Sequence, residues 1–468
     1  MKHFDKKILG AGILALALLQ AIAAGAQNNP ATPEQAAGQQ QGRGGGGGRA
    51  ARQAGPPTKT TFLQLTGNAN ATLVEPVTLN AKSRIVIVRT HPEHVNNISQ
   101  DGRPLVDYGY RVMALNYYGR EQLYYEFIPG IAAAIKAARA IPGVEKVVLL
   151  GFSTGGAELT SYQDVAENGP KACQEPNRVY KCDGKGLDNL PKADGVMLLE
   201  SAAGAPERTD ALNPAVGLHD WKVIHPELDM FSPANGYDPA THAGKYSDEF
   251  IKKYFAAQAA KSKALIDEAQ ARLALIQKGD GNFKDDEPFI VTGSTLAING
   301  ARLLLADTQL MGHVHAPHML LKADGTTPVL KYPEVMDPEA SPADNGNLWS
   351  NTQNTTVKTY LSFQALRVTP DYHMTEDNIY GVDWRSVPNS IEGNVQGIHA
   401  PTLIVSGTCA PHIVYQEIAY DLSAAQDKDI VGVEGANHGL TACKPEYGDT
   451  SKRAYDYVDS WLSKPGRF

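Results

Sequence analysis

Ser153 stands in Gly151-Phe-Ser153-Thr-Gly155, directly after the apolar run Lys146-Val-Val-Leu-Leu150. A serine on a sharp strand-to-helix turn projects its hydroxyl above a sheet edge. Glycines two places before and after it keep that turn free of colliding side chains. The hydroxyl becomes a useful nucleophile only when an imidazole removes its proton. Of the 13 histidines, His438 in Glu434-Gly-Ala-Asn-His438-Gly439 lies directly after the apolar run Asp429–Val433 and is flanked by glycine. A serine and a histidine so paired perform acyl transfer, the imidazole first taking the proton and later giving it to the leaving group.

Two such residues need a rigid platform. Thr60–Thr66 and Thr72–Asn80 read as an opening antiparallel pair. Ile85–Val88, Tyr110–Leu115, Lys146–Leu150, Gly195–Leu199, Pro401–Val405 and Asp429–Val433 read as further strands, with helical patterns at Gln122–Ala140 and Thr450–Leu462. This alternation predicts a mostly parallel sheet with helices on both faces. Between Leu199 and Pro401 the rhythm stops. There Ser247 can cap a long helix, with Asp248 and Glu249 in its first turn, apolar positions from Ile251 to Ile276 at helical spacing, and Gly279 to end it. Residues 201–398 are therefore expected to form a large, mainly helical cap inserted between core segments 58–200 and 399–468.

With elbow, strand rhythm and late histidine together, residues 60–200 and 399–468 resemble the serine α/β-hydrolases. The resemblance implies the α/β fold of that superfamily, a mostly parallel central sheet flanked by helices, and a carboxylic-ester hydrolase forming an acyl-enzyme on Ser153 with His438 as general base. It implies that the backbone of Thr154 supplies one oxyanion donor. The second usually follows the third strand, where His91-Pro92-Glu93-His94 points to Glu93, with His91 and His94 as substrate contacts. The acid departs from the common pattern, because Ala410 stands three residues beyond Gly407, where a carboxylate is expected. Glu200 ends an apolar strand, and a buried carboxylate there needs a partner such as His438. It is the expected acid, with Glu434 and Asp421 as rivals. Amide or peptide hydrolysis by the same triad is the alternative activity. The missing acid at Ala410 also leaves open a binding protein without catalysis on a hydrolase scaffold.

The ends and composition narrow the setting. Lys2, Lys6 and Lys7, an apolar stretch from Ile8 to Ala24, and Ala24-Gly25-Ala26 predict a signal peptide over residues 1–26, cleaved near Ala26, and hence a periplasmic or secreted protein. No second apolar run approaches spanning length, so no stable membrane insertion is expected after cleavage. Residues 27–57 are rich in Gln, Gly and Pro and read as a disordered linker, despite Arg43, Arg49 and Arg52 beside the glycine run. The net charge is −8, and the leader's three lysines and one aspartate contribute +2, leaving −10 on the mature chain. That balance argues against nucleic acid as a partner; a small-molecule ester is the expected one, and the oligomeric state stays open. Four cysteines in an oxidising compartment suggest two disulfides in one of three connectivities; Cys173–Cys182 would close a short loop and Cys409–Cys443 would pin the His438 loop against the sheet. There is no Cys-x-x-Cys pair, and His313-Val-His315-Ala-Pro-His318 has no nearby cysteine or well-spaced carboxylate pair in sequence. No metal site and no cofactor are expected. The tyrosines Tyr117, Tyr118, Tyr124 and Tyr125 read as core packing before pocket lining.

Overall fold

The strands form where β-branched and aliphatic residues run together, and among the described residues ten of them assemble into one sheet, beside three two-stranded sheets. The computed structural model describes residues 55–66, 69–90, 102–117, 124–201, 204–220, 222–294, 302–334 and 352–468. The expected signal peptide, nearly all of the expected linker, Tyr118, and His91, Glu93 and His94 lie outside the described residues.

In chain order the elements that matter are β1 (Thr58–Thr66), β2 (Ala69–Pro76), β3 (Ile85–Thr90), β4 (Arg111–Tyr117), α1 (Ile128–Arg139), β5 (Lys146–Phe152), α2 (Gly155–Asn168) and β6 (Gly195–Leu199). Then come α3 (Asp248–Lys278), β7 (His318–Leu321), β8 (Val329–Leu330), β9 (Thr402–Gly407), α4 (Ile413–Leu422), β10 (Lys428–Val433) and α5 (Thr450–Leu462). The spatial order is β1-β2-β4-β3-β5-β6-β9-β10-β7-β8. Strand β2 runs antiparallel to β1 and β4, while the pairs from β4–β3 through β9–β10 are parallel. With the elbow at the carboxyl end of β5 and the late histidine loop beyond β10, this is the α/β-hydrolase fold.

Alternation of side chains gives the sheet two apolar faces. Val86, Val88, Val147, Leu149, Val196 and Leu198 pack with Ile131 and Ile135 of α1 and Leu159 of α2. Ile87, Val148, Leu150, Met197 and Leu199 face the other way, onto Ala454, Val458 and Trp461 of α5. Each such side chain, fully buried, contributes about 1.5–3 kcal/mol.

The long helix of the insertion forms as its sequence predicts. Ser247 Oγ accepts the Phe250 N–H at 3.2 Å, and Gly279 ends the helix in the left-handed region (φ 81°). Tyr254 and Phe255 of α3 share a core with Ile413, Val414 and Tyr415 of α4, so the insertion packs on the sheet's own helix layer. It also feeds the sheet: β7 pairs parallel to β10, from Met319 against Val431 to Leu321 against Val433, and β8 pairs antiparallel to β7. The expectation of a mainly helical cap did not anticipate this. Pro56–Phe468 forms a single unit.

Candidate active site

Strand β5 delivers Ser153 on a turn whose backbone few residue types tolerate. Ser153 has φ 53°, in the left-handed region, and α2 begins two residues later with Thr154 as its N-cap. The turn is close enough that a Cβ on Gly151 would come within 2.4 Å of Gly156 Cα. The glycine opposing Gly151 is thus Gly156, one residue beyond the Gly155 that the motif spacing indicates. A Cβ on Gly156 would in turn meet Ser201 Cβ and Oγ at 2.6 Å.

The His438 loop is fastened on three sides. Asn437 Oδ1 accepts the N–H groups of Gly439 (3.0 Å) and Thr441 (3.2 Å), which closes a tight turn around the histidine. Leu440, at φ 56°, offers its carbonyl to the hydroxyls of Thr450 and Ser451 at the start of α5. Cys443 is disulfide-bonded to Cys409, with Cα atoms 6.4 Å apart, and the Cys409 N–H donates to Ala436 O at 2.8 Å. The Cys173–Cys182 disulfide is formed as well, with a Cα separation of 5.6 Å. Both Cα separations are within the range disulfides span.

These elements bring the three expected residues together. His438 Nε2 lies 3.1 Å from Ser153 Oγ, and His438 Nδ1 lies 3.4 Å from Glu200 Oε2. Glu200 is completely buried and has φ 44°, so serine and carboxylate both occupy a conformation unusual for non-glycine residues. Its Oε1 accepts the Gly407 N–H, and its Oε2 accepts a second imidazole, His412 Nδ1, at 3.1 Å. Burial raises the pKa of Glu200, but the hydrogen bonds and charges of His412 and His438 outweigh it and hold the carboxyl below its ordinary value.

His412 extends the row inward. It caps α4, is completely buried, and places Nε2 2.8 Å from Glu207 Oε1. Glu207 lies on the short helix Ala205–Asp210 and is 3.7 Å from a guanidinium nitrogen of Arg302. Arg302 is bidentate to Asp210, through Nε at 2.8 Å and a terminal nitrogen at 2.9 Å, and Tyr415 donates its hydroxyl to Asp210. Burial favours the neutral form of Glu207, yet His412 and Arg302 more than reverse this and hold it at about 2. Sequence reasoning missed Glu207, Arg302, Asp210 and the role of His412. Only the placement of His412 just past β9 could have signalled it.

The rivals for the acid lie elsewhere. Glu434 accepts the Ala323 N–H (2.8 Å), and Asp421 is 2.9 Å from His315 Nε2. Ala410 is buried in the loop after β9. His315 and His318 meet a carboxylate from far along the chain: Glu417 of α4 lies 2.9 Å from His315 Nδ1 and 2.7 Å from His318 Nε2. His313 turns away, its Nδ1 3.0 Å from Val314 O. Tyr124 is buried against Phe127 and Phe363, which agrees with a packing role. Among the described residues, only Glu200, His412 and His438 bring three potential metal-ligating atoms within 4.8 Å of one another. The hydrogen bonds among them account for that spacing. Thr154 follows Ser153 at the mouth of α2, where a free N–H would face the nucleophile.

No protein-family model matches this sequence, and no curated protein is similar to it. Solved structures are similar in part. Est1E from Butyrivibrio proteoclasticus aligns over 86% of this chain and 97% of its own at 11% identity and a TM-score of 0.38. Brefeldin A esterase, a bacterial homologue of human hormone-sensitive lipase, aligns over 88% of this chain and 78% of its own at 11% identity and 0.39. A bromoperoxidase from Bacillus anthracis aligns over 86% and 99% at 11% and 0.31. At these scores the alignments carry no argument of their own, and the fold rests on the strand order above.

Proposed function

We propose that this chain is an exported serine hydrolase that cleaves carboxylic esters of small molecules. The observation that carries the reading is the continuous relay from Ser153 Oγ through His438 to the buried Glu200. Ser153 Oγ attacks the ester carbonyl as its proton passes to His438 Nε2. The Thr154 N–H, with a second donor from the segment containing Glu93, stabilises the oxyanion. The tetrahedral adduct collapses to an acyl-enzyme as His438 returns the proton to the departing alkoxide. Water then attacks, its proton taken by His438 and passed to Ser153 Oγ as the carboxylic acid leaves. Glu200 stays ionised throughout, fixing the Nδ1–H tautomer and stabilising the imidazolium. Two disulfides suit an oxidising compartment, and no helix among the described residues is long and apolar enough to cross a membrane.

The test is a fluorophosphonate probe on the purified mature protein, the adduct mapped by mass spectrometry beside a Ser153→Ala variant. A single adduct on Ser153, with turnover of p-nitrophenyl esters that Ser153→Ala abolishes, is expected. Unlabelled, folded protein would sink the reading.

A further inference from the structure

We infer that His412 is a positioning residue of the active site: a buried imidazolium, clamped between Glu200 and Glu207, that holds the triad acid and supplies a fixed positive charge behind it. The inference rests on the Ser153–His438–Glu200 reading.

The geometry requires both ring nitrogens of His412 to carry protons. Nδ1 is 3.1 Å from Glu200 Oε2 and Nε2 is 2.8 Å from Glu207 Oε1, and the ring has no exposure to water. A neutral imidazole has one N–H and one lone pair, so one carboxylate would face that lone pair at contact distance, which costs as much as any unpaired buried charge. The imidazolium pairs with both, donating Nδ1–H to Glu200 and standing as an ion pair against Glu207. In the same direction, burial lowers the His412 pKa but Glu207 and Glu200 more than offset it, raising it to about 10.

The consequence for catalysis follows from charge. His412 and His438 share one oxygen of Glu200, and their rings are 5.1 Å apart. Glu200, Glu207 and Asp210 are anionic and His412, Arg302 and Arg208 cationic, so the buried charges balance. The His412 cation keeps Glu200 ionised and in place, so that the carboxylate can stabilise the imidazolium His438 becomes on taking the Ser153 proton. It also explains how the acid can sit at the end of β6 with Ala410 in the usual place. The loop after β9 contributes a cation two residues later, and that cation holds a carboxylate from the neighbouring strand. The groups facing His412 are Glu200 from the end of β6, Glu207 from the helix Ala205–Asp210, His438 from the loop after β10, and Arg302 and Glu334 from the insertion.

The test uses the full mature chain. Histidine-labelled protein is followed by nitrogen-detected NMR, the His412 signals being those absent from His412→Gln. The expected result is that both ring nitrogens stay protonated through neutral pH and to about pH 9. A neutral tautomer at neutral pH overturns the inference. In parallel, kcat/KM against pH is compared for the wild type, His412→Gln and His412→Lys on a p-nitrophenyl ester. Loss of the charge in His412→Gln should lower kcat by about tenfold to a hundredfold with KM little changed. It should also move the acid limb up by about one unit. His412→Lys, which restores a cation between the carboxylates, should recover the limb. Gln performing as well as Lys would reduce His412 to a packing residue and overturn the inference. If both variants fail to fold, the protonation state of the wild type decides. Fluorophosphonate labelling of the wild type separates the two readings, since absence of a Ser153 adduct removes the triad itself whatever His412 does.

Discussion

The backbone N–H of Ser153 donates to the carbonyl of Glu200 at 3.2 Å. Serine and carboxylate are thus registered to each other through main chain as well as through His438. Strand β6 in turn anchors Glu200, whose N–H donates to Val405 O of β9 at 2.9 Å. A side-chain change at residue 200 therefore keeps this main-chain link to Ser153.

Glu200→Gln preserves shape but removes the charge that holds the His438 tautomer. Turnover should fall on the order of 10³- to 10⁴-fold, with KM changing far less. The variant also leaves His412 with one anionic partner in place of two, so a lowered unfolding midpoint should accompany the loss. Turnover close to wild type in a folded Glu200→Gln enzyme would remove Glu200 from the relay.

The elbow predicts a coupled pair. Gly156→Ala pushes a methyl into Ser201 Cβ and Oγ, whereas Gly151→Ala pushes one into the backbone of Gly156. A side chain can be trimmed and a backbone cannot. Ser201→Gly should therefore restore much of the activity and stability lost in Gly156→Ala and none of that lost in Gly151→Ala, each single change costing about 1–3 kcal/mol. Denaturant unfolding of the three single and two double variants measures it, and additive losses in Gly156→Ala/Ser201→Gly would refute the steric account.

What was legible in the sequence is what local pattern encodes. The elbow, the His438 loop, the strands flanking them and the capped helix Asp248–Lys278 all depend on residues within a turn or two of one another. Glu200 was legible because a carboxylate ending an apolar run needs a partner. Its second partner was not, since His412 lies 212 residues away in sequence and becomes a neighbour only when β6 and β9 pair. Arg302 and Asp210, 92 residues apart, meet for a similar reason, through folding of the insertion against α4. Strands β7 and β8 escaped notice because they are four and two residues long, too short for periodicity to register.

The two disulfides should behave differently. Cys409–Cys443 spans 34 residues and ties the His438 loop to the end of β9, so replacing both cysteines by alanine should lower the unfolding free energy by about 4 kcal/mol and also lower kcat. Cys173–Cys182 spans 9 residues beyond the far end of α2, about 21 Å of helix from Ser153. Its loss should cost about 3 kcal/mol and leave kcat unchanged in the folded protein. Equal effects on kcat would mean that the Cys409–Cys443 bridge does not set the histidine's position.

Stability should carry a signature of the His412–Glu207 pair at both ends of the pH scale. Burial lowers the His412 pKa, and the two carboxylates outweigh it to give about 10, so the folded chain keeps a proton that the unfolded chain releases near its ordinary value of about 6.5. The stabilisation is complete below about 6.5 and is lost as pH rises through about 10, with a slope of about 1.4 kcal/mol per pH unit for one proton. Glu207, held at about 2, acts with the opposite sign. Its contribution is present above its ordinary value of about 4.5 and is lost as pH falls through about 2. Other buried groups titrate at the alkaline end. Glu158 and Glu392, raised by burial to about 8, weaken the fold as pH rises towards that value, while Lys261, lowered by burial to about 8, strengthens it above. These three act equally in a variant that lacks only the imidazole, whereas Glu334, also raised by burial to about 8 but held back by the His412 charge, titrates higher without it. Urea unfolding of the wild type and His412→Gln at about pH 7 and about pH 9.5 isolates the term, the wild type losing more stability over the interval. Parallel losses would mean that His412 is not charged in the folded protein.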